Sequence, residues 1–361
     1  MNADTGDYFP EPESQGGWRW LDDQDQVRSL AGMDAERLEL AFEEQHNFYS
    51  DSSAIVILRN GYLVRESYSF NVLVPTRFDI WSGTKSFTGT AWGLLLDDSA
   101  QGRLPAGHCI DLDTPAYQFI PEGFPLTDNR KELITIRHLL TMTSGIPGAS
   151  LHVVGIPTST GCGPFEHALG FCPNRYGKWV NHLAVVPGTR WDYSDPAIAH
   201  LALAFFHTTG REISDYMRER VFDPIGIENA SWDVQGGSGF IGYHTNAHTG
   251  IHITARDLAR FGYLMLRNGT WNGRQLIPKW WIDLATKSSQ DLVPTYGYLW
   301  WVNTNGAYWP GLPADMYALN GYNSNRCYII PSLDLVVVRI GSGPPYWKEQ
   351  GLIARVVDAV L

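Results

Sequence analysis

The stretch DIWSGTKSFTGTAWGLLL, residues 79–96, places a lysine in a segment that otherwise has the pattern of an apolar helix. A helix that is apolar on nearly all sides is expected to be buried. A buried ammonium group is costly unless it has an ionic partner or a chemical task. The chain must therefore fold so that Lys85 meets a partner or takes part in a reaction.

Ser82 precedes Lys85 by three residues, so on a helix the two side chains lie on one face within reach of each other. A serine hydroxyl is a poor nucleophile at neutral pH, and a desolvated lysine can serve as the base that it needs. Backbone N–H groups at the helix N-terminus would also favour a developing oxyanion. About one S-x-x-K is expected by chance in a chain of this length, so the motif alone also allows a purely structural interpretation.

Composition narrows the possible functions. The 361 residues are 44% hydrophobic and 18% charged, which suits one large domain or two interleaved domains with a substantial core. A net charge of -11 with scattered basic residues argues against a nucleic-acid partner. No 18-residue apolar run and no signal-peptide pattern occur, so we expect no membrane span. The chain as written is expected in the cytoplasm, or outside it if the N-terminus has been trimmed; its oligomeric state is not predicted.

Strand patterns occur in two widely separated regions. Two β-rich runs flank Asn60-Gly61, which is the strongest short-range hairpin signal. Between about 97 and 240 the pattern changes to helical pieces and long loops, and a helix is expected at about 347–360. Further strands are predicted late in the chain at YGYLWWV, MYALN, RCYII and LDLVVVRI.

These patterns predict an α/β (α+β) fold in which helices flank an antiparallel sheet and a mainly helical domain is inserted into the sheet domain. The predicted divisions are a polar N-terminal arm at 1–33, a sheet domain formed by 34–96 and 241–361, and a helical domain at 97–240. Asp34 is expected to cap the first helix of the sheet domain.

A second motif, Tyr193-Ser194-Asp195, lies at the end of a turn that leads into a helix. With S-x-x-K before it, the chain resembles the serine β-lactamase-related family. This family includes class C β-lactamases, D-alanyl-D-alanine carboxypeptidases, family VIII esterases and 6-aminohexanoate-dimer hydrolases. The resemblance extends through RHLLTMTSGIPG, TARDLARFGYLMLRNGTWNGRQLIP, YGYLWWV and YIIPSLDLVVVRI. It implies a β-lactamase/transpeptidase-like fold with the active site in a groove between the sheet and helical domains.

The resemblance also implies roles for individual residues. Ser82 matches the nucleophile, Lys85 the lysine of the first motif, and Tyr193 the tyrosine that acts with it as acid and base. Ser82 would attack a carbonyl, Tyr193 would pass the proton to the leaving group, and water would later release the acyl chain. No cofactor is needed for this chemistry.

The third motif departs from the family patterns Lys-Thr-Gly, His-x-Gly and Trp-Gly-Gly. The comparable stretch ALNGYNSNRCYIIP contains no lysine or histidine. The family pattern places Asn323 where a histidine stands in nylon-oligomer hydrolases, and it assigns to Tyr322 a backbone N–H that would form the oxyanion hole with that of Ser82. Asn320 is a further neutral candidate for substrate contact. Arg326 would supply a cation only if its side chain points into the groove.

Asp195 stands where asparagine is commoner in the family. Its carboxylate could approach Lys85, stabilise the ammonium and raise the pKa of the lysine, in which case Tyr193 would be the working base. Alternatively, Asp195 only caps the helix that begins at Pro196. The sequence does not choose between these two interpretations.

Histidines and cysteines offer weaker signals. His244, His248 and His252 would share a helix face, but Thr249-Gly250-Ile251 favours loop and strand, so no metal site is predicted. In the family register His248 falls at a cleft position that often contacts substrate. The loop cysteines Cys162 and Cys172 could form a disulfide or remain reduced thiols.

The predicted activity is hydrolysis of carboxylic esters or small amides through an acyl-enzyme. The alternatives are a β-lactamase, a D-Ala-D-Ala carboxypeptidase, or a non-catalytic relative that binds a peptide or cell-wall fragment. The neutral Asn320 and Asn323 and the acidic Asp195 favour neutral short-chain esters over β-lactams, whose carboxylate calls for a cationic or strongly donating third motif.

Overall fold

The computed structural model describes residues 8–48, 52–148, 161–237, 239–342 and 350–361. The α-helices of this part of the chain are α1 (Gln24–Ala31), α2 (Ala35–Phe48), α3 (Thr84–Ala100), α4 (Ile136–Leu140), α5 (Pro164–Leu169), α6 (Asp195–Thr209), α7 (Ile213–Met217), α8 (Ala255–Leu266), α9 (Lys279–Ala285) and α10 (Gln350–Asp358). The strands are β1 (Ser53–Arg59), β2 (Tyr62–Tyr68), β3 (Phe78–Asp79), β4 (Ala230–Trp232), β5 (Val234–Gln235), β6 (His244–Thr245), β7 (Ile251–Ile253), β8 (Thr270–Trp271), β9 (Arg274–Gln275), β10 (Trp301–Val302), β11 (Tyr317–Gly321), β12 (Asn325–Ile330) and β13 (Leu335–Gly341).

The main sheet has six strands in the order β10-β11-β12-β13-β1-β2, and every neighbouring pair is antiparallel. The hairpin of β1 and β2 turns at Asn60 and Gly61, which both have left-handed backbone angles. β1 pairs with β13 on its other side, so strands from the two ends of the chain meet within one sheet. The predicted mixed α/β fold with an antiparallel sheet is confirmed.

Both faces of the sheet are covered. Val56, Leu58 and Val338 belong to a large core that includes residues of α3 and α8, whereas Ile55 and Ile57 belong to a second core with residues of α1, α2 and α10. Successive residues of β1 therefore point into different cores, as the alternation of a strand requires. This explains why AIVIL is continuously apolar in sequence.

Helix α3, which carries Lys85, is buried along almost its whole length, as its composition predicts. Two glycines permit this close packing. A Cβ atom on Gly93 would lie 2.2 Å from the ring of Trp281 in α9, and one on Gly89 would lie 2.9 Å from the carbonyl oxygen of Tyr298. The glycines therefore let neighbouring segments approach the helix backbone directly.

The N-terminal segment differs from the predicted polar arm. Residues 24–31 form helix α1, and the side chain of Asp23 caps it by accepting a hydrogen bond from Gln26 N at 2.7 Å. Val27 and Ala31, four residues apart, are buried against the sheet. Leu30 of the same helix is exposed, so the buried stripe has only two residues and gives a weak sequence pattern. The description of residues 1–33 as a polar arm is therefore corrected for its described part.

Two further segments differ from their predicted patterns. In YGYLWWV only Trp301 and Val302 are strand, because Gly297 N bonds to Trp300 O and closes a tight bend before β10. Within the region predicted as an inserted helical domain, β4 pairs with β7 of the sheet-domain segment. Helices α4 to α7 do lie in that region, and the exact domain boundaries stay a prediction. The N-terminal part of the predicted helix at 347–360 lies outside the described residues, and α10 covers most of the remainder.

Cys162 and Cys172 form a disulfide with a Cα–Cα distance of 6.3 Å. Of the two interpretations of these loop cysteines, the structure shows the bonded one. The bridge joins the two ends of the segment that contains α5. Among the described helices, none is both long enough and apolar enough to cross a bilayer.

We expect Cys172→Ser to lower the free energy of unfolding by about 2–3 kcal/mol, because opening a loop of this length returns conformational entropy to the unfolded chain. Denaturant unfolding under non-reducing conditions measures the change. The matched control is Cys109→Ser, which removes an exposed free thiol and should leave the midpoint unchanged. Equal stabilities of the two variants would contradict the prediction.

Candidate active site

Ser82, Lys85 and Tyr193 come together at one end of the cleft. Ser82 lies in a short 3-10 turn that leads into α3, and Lys85 lies in the first turn of that helix. The ammonium of Lys85 donates to Ser82 Oγ at 2.9 Å and lies 4.9 Å from the ring centroid of Tyr193. The turn-helix geometry therefore forms the serine-lysine contact that the S-x-x-K spacing predicts.

The backbone just before Ser82 is strained. Trp81 has a φ of 50°, a left-handed conformation that is unfavourable for a bulky residue. Its N–H donates to Asp79 Oδ1 at 2.7 Å, which holds the turn in place. Strain of this kind at a candidate nucleophile is consistent with a backbone shaped to present Ser82 to the cleft.

The ammonium of Lys85 is buried among oxygen partners. Besides Ser82 Oγ, it donates to the backbone carbonyl of His248 at 2.9 Å and forms an ion pair with Asp195 Oδ1 at 2.8 Å. An ammonium carries three N–H donors and no acceptor, so oxygen partners suit it. The lysine that made the sequence unusual is therefore satisfied in the folded protein.

Two opposing effects set the pKa of Lys85. Burial by itself lowers the pKa of Lys85. The negative charge of Asp195, and then the charge interaction and hydrogen bond with Tyr193, outweigh burial and raise the pKa above the ordinary value. The ion pair with Asp195 therefore favours the ammonium form of Lys85, which is not a base. Tyr193 is the remaining candidate for the base.

Asp195 takes the first of the two roles considered from the sequence. Helix α6 is capped by Ser194, whose hydroxyl accepts a hydrogen bond from Ala197 N at 3.2 Å. Asp195 is the first residue of this helix, and its buried carboxylate faces Lys85. A carboxylate at this position is also favoured by the helix dipole.

A cleft of about 380 Å³ opens above Ser82 and Tyr193. The predicted substrate-binding residues Asn320, Tyr322 and Asn323 all lie along it. Its other lining residues are Trp191, Trp301, Gly321, Ser324 and Arg326. The third-motif segment therefore forms one wall of the cleft that contains the serine.

The segment that contains Tyr322 packs tightly against the turn that carries Ser82. A Cβ atom on Gly321 would lie only 1.9 Å from the carbonyl oxygen of Ile80, so this position requires glycine. The rings of Trp81 and Tyr322 meet edge to face, with centroids 5.7 Å apart. These contacts hold the segment that contains Tyr322 against the turn that carries Ser82, and the oxyanion role of the Tyr322 N–H stays a prediction.

Aromatic rings form a further part of the cleft lining, the aromatic wall, beside the third-motif strand, since Trp301 of β10 pairs with Ala318 of β11. Trp301 stacks between Tyr193 and Tyr308, with centroid distances of 6.4 Å and 4.9 Å. Trp191 leans against Tyr193 at 6.1 Å. In the pair Trp300-Trp301, the first ring is core and the second is cleft wall. The only sequence signal for this wall is the high aromatic content, which does not say which rings meet.

The expectation that the His248 side chain contacts substrate is corrected by its burial. The residue is 0% exposed, and it contacts the site through its backbone carbonyl, which accepts a hydrogen bond from the Lys85 ammonium. His244 pairs with Glu212, and His252 pairs with Asp233. Within the described ranges, no group of three histidine, cysteine or acidic side chains is placed to hold a metal ion.

The antiparallel sheet with helices beside it has the β-lactamase-type fold, and the serine-lysine-tyrosine cluster lies at its cleft. A family model for beta-lactamase matches residues 51–360, so the chain belongs to the beta-lactamase family and is a hydrolase of that family.

Known proteins share this fold or part of this sequence. The 6-aminohexanoate-dimer hydrolase of Paenarthrobacter ureafaciens is 22% identical over 356 residues, covering 91% of this chain and 84% of the relative. A D-stereospecific amidohydrolase from Streptomyces superposes with a TM-score of 0.62 at 17% identity, over 90% of this chain and 98% of the other. An octameric penicillin-binding protein homologue from Pyrococcus abyssi gives a TM-score of 0.66 at 19% identity, over 90% and 77% of the two chains.

We expect Asp195→Asn to destabilise the protein by about 3–5 kcal/mol at pH 7, because it leaves the Lys85 ammonium buried without its counter-charge. In the wild type, the raised pKa of Lys85 gives stability that is complete below about pH 10 and is lost as the pH rises through the folded-state pKa. In the variant, burial lowers the pKa of Lys85 in the folded state. The free energy of unfolding of the variant therefore rises as the pH rises towards 10. The difference in unfolding free energy should therefore narrow from pH 7 to pH 10.

Urea denaturation of both proteins across this pH range measures the difference. The control is Asp283→Asn, which breaks an exposed ion pair with Lys279 and should cost less than about 1 kcal/mol. A gap between wild type and Asp195→Asn that stays constant with pH would show that the effect does not pass through the charge of Lys85.

Proposed function

We propose that this protein hydrolyses carboxylic esters or small amides through an acyl-enzyme on Ser82. The observation that carries the proposal is the Lys85 ammonium, which Asp195 holds as a cation while it donates to Ser82 Oγ. A cation at this position stabilises the negative charge that develops on the serine oxygen as it attacks a carbonyl. A lysine with a purely structural role would not need to direct its ammonium at a serine hydroxyl in a cleft.

Tyr193 is the proposed proton carrier. It lies in the cleft with Ser82, and its ring is next to the ammonium of Lys85. As the bond from Ser82 Oγ to the carbonyl carbon forms, the serine proton passes to the phenolate oxygen of Tyr193, the form of the tyrosine that the Lys85 cation beside it stabilises. The tyrosine then returns the proton to the alcohol or amine as the bond to this leaving group breaks.

Deacylation follows the reverse route. A water molecule gives its proton to Tyr193 and attacks the ester carbonyl of the acyl-enzyme, and Ser82 Oγ leaves and regains a proton from the tyrosine. In both steps the backbone N–H groups of Ser82 and Tyr322 are proposed to bind the oxyanion. The contacts of Gly321 and Trp81 around the serine turn support this placement.

Ser82→Ala is expected to abolish turnover and labelling by a fluorophosphonate probe, because it removes the attacking oxygen. Lys85→Ala and Tyr193→Phe should each reduce kcat/KM for an ester at least about 100-fold, since each removes part of the proton-transfer relay. Steady-state kinetics and gel-based labelling provide the measurements. Tyr243→Phe, which alters an exposed tyrosine outside the cleft lining, is the matched control.

Turnover within tenfold of wild type in Ser82→Ala would remove Ser82 as the nucleophile. Circular dichroism of each variant should accompany the kinetics, so that loss of activity is separated from loss of fold. A wild-type protein that is folded but neither labelled nor active would favour a non-catalytic binding protein.

The proposed substrates are neutral and carry an apolar group. The positive charge nearest to the nucleophile, that of Lys85, is already matched by Asp195, and Asn320 and Asn323 are uncharged. Arg326 lines the cleft, but its Nη1 donates to the carbonyls of Gly321 and Asn325. The aromatic wall of Trp301 and its neighbours suits an apolar acyl or leaving group.

We expect kcat/KM for a p-nitrophenyl short-chain ester to exceed that for a chromogenic cephalosporin by at least about 100-fold, because Arg326, the cation among the described lining residues, is engaged with the backbone carbonyls of Gly321 and Asn325. Both substrates are measured on one preparation of the wild-type protein, with Ser82→Ala as the background control. A cephalosporin value equal to or above the ester value would instead support a β-lactamase or carboxypeptidase.

A further inference from the structure

The turn between β11 and β12 forms the cleft wall beside Ser82, and its backbone is strained. Asn323 and Ser324 have φ values of 58° and 60°, so two adjacent residues with side chains are both left-handed. This conformation is unfavourable for serine and less so for asparagine, and two such residues in a row persist only where the surroundings impose it. Some part of the structure must therefore hold this turn.

Two buried arginines donate hydrogen bonds to carbonyl oxygens of the turn. Arg326 Nη1 lies 2.6 Å from Gly321 O, and Arg339 Nη1 lies 2.6 Å from Asn323 O. The arginines are directly opposite each other on β12 and β13. A guanidinium keeps its charge and presents its donors in a rigid planar fork, so each arginine fixes the direction of the carbonyl that it binds.

The direction of a carbonyl also sets the direction of the next N–H group. In a trans peptide unit the C=O and N–H bonds point to opposite sides, and the unit between Gly321 and Tyr322 is trans. When Arg326 holds the Gly321 carbonyl, it therefore aims the N–H of Tyr322 away from itself. Asn325 Nδ2 holds the Tyr322 carbonyl at 2.6 Å and fixes the following unit in the same way.

We propose that Arg326 and Arg339 are positioning residues for the oxyanion hole. They hold the turn in its strained conformation, so that the N–H of Tyr322 is already directed at the oxyanion before the substrate arrives. This inference rests on the proposed acyl-enzyme function of Ser82. Arg339 is 0% exposed and so cannot touch a substrate in the cleft, which means that it acts only through the turn.

The test compares Arg326→Lys and Arg339→Met with wild type on a neutral p-nitrophenyl ester. We expect kcat to fall about 10- to 100-fold with KM within about threefold, because the oxyanion that Tyr322 would bind exists only in the transition state. The affinity for an alkyl boronic acid, whose tetrahedral adduct on serine resembles that state, should fall by a similar factor. The control is Arg65→Lys, an arginine of β2 whose guanidinium bonds Glu39 at the protein surface.

The outcomes distinguish failure of the positioning role from failure of the proposed acyl-enzyme function. A raised KM with unchanged kcat, or an effect of Arg326→Lys confined to anionic esters, would make Arg326 a substrate-binding residue and overturn the proposal. Unchanged kcat in folded variants of an active wild type would also overturn it while leaving the proposed function in place. Absence of turnover and of Ser82 labelling in the wild type would reject the proposed function itself. If Arg339→Met does not fold, Arg326→Lys carries the same expectation.

Discussion

The buried ammonium of Lys85 is the interaction on which the rest of the site depends. It contacts oxygen atoms from segments far apart in sequence, among them the turn at Ser82, the start of α6 at Asp195 and the loop at His248. Removing an ammonium from water is costly, so these segments must dock with good hydrogen-bond geometry or the fold loses stability. Satisfying this one charge brings the sheet-side helix α3 and the helical region together around the cleft.

The parts of this arrangement that could be predicted from the sequence are the local ones. Helical spacing sets the distance between Ser82 and Lys85, and the turn preference of Asn60-Gly61 sets the first hairpin, so both follow from neighbouring residues. The pairing of Asp195 with Lys85 was only one of two alternatives, because no local spacing fixes a contact across about 110 residues. In the structure Ser194 is the helix cap, so Asp195 is not needed for that role and pairs with Lys85.

Other features left no usable pattern in the sequence. His248 contributes a backbone carbonyl, which every residue type possesses, so its identity said nothing about that contact. The aromatic wall joins Tyr193, Trp301 and Tyr308 from three separate segments, and composition alone cannot indicate which rings stack. The strands of the sheet were easier to predict than these contacts. Burial on both faces of the sheet makes successive residues of a strand apolar, and this leaves long apolar runs in the sequence.

The electrostatics of the site separate its chemistry from its selectivity. The charges of Lys85 and Asp195 largely cancel for any group more distant than the serine oxygen, so a substrate gains little long-range attraction from them. A substrate group that covers the aromatic wall gains roughly 25 cal/mol for each Å² of apolar surface removed from water. In the proposed mechanism, the Lys85 ammonium therefore acts on the charge that develops on the serine oxygen, and the shape of the aromatic wall would select the substrate group that lies against it. Substitutions at Trp301 would then change which substrates bind while leaving the serine, lysine and aspartate contacts in place.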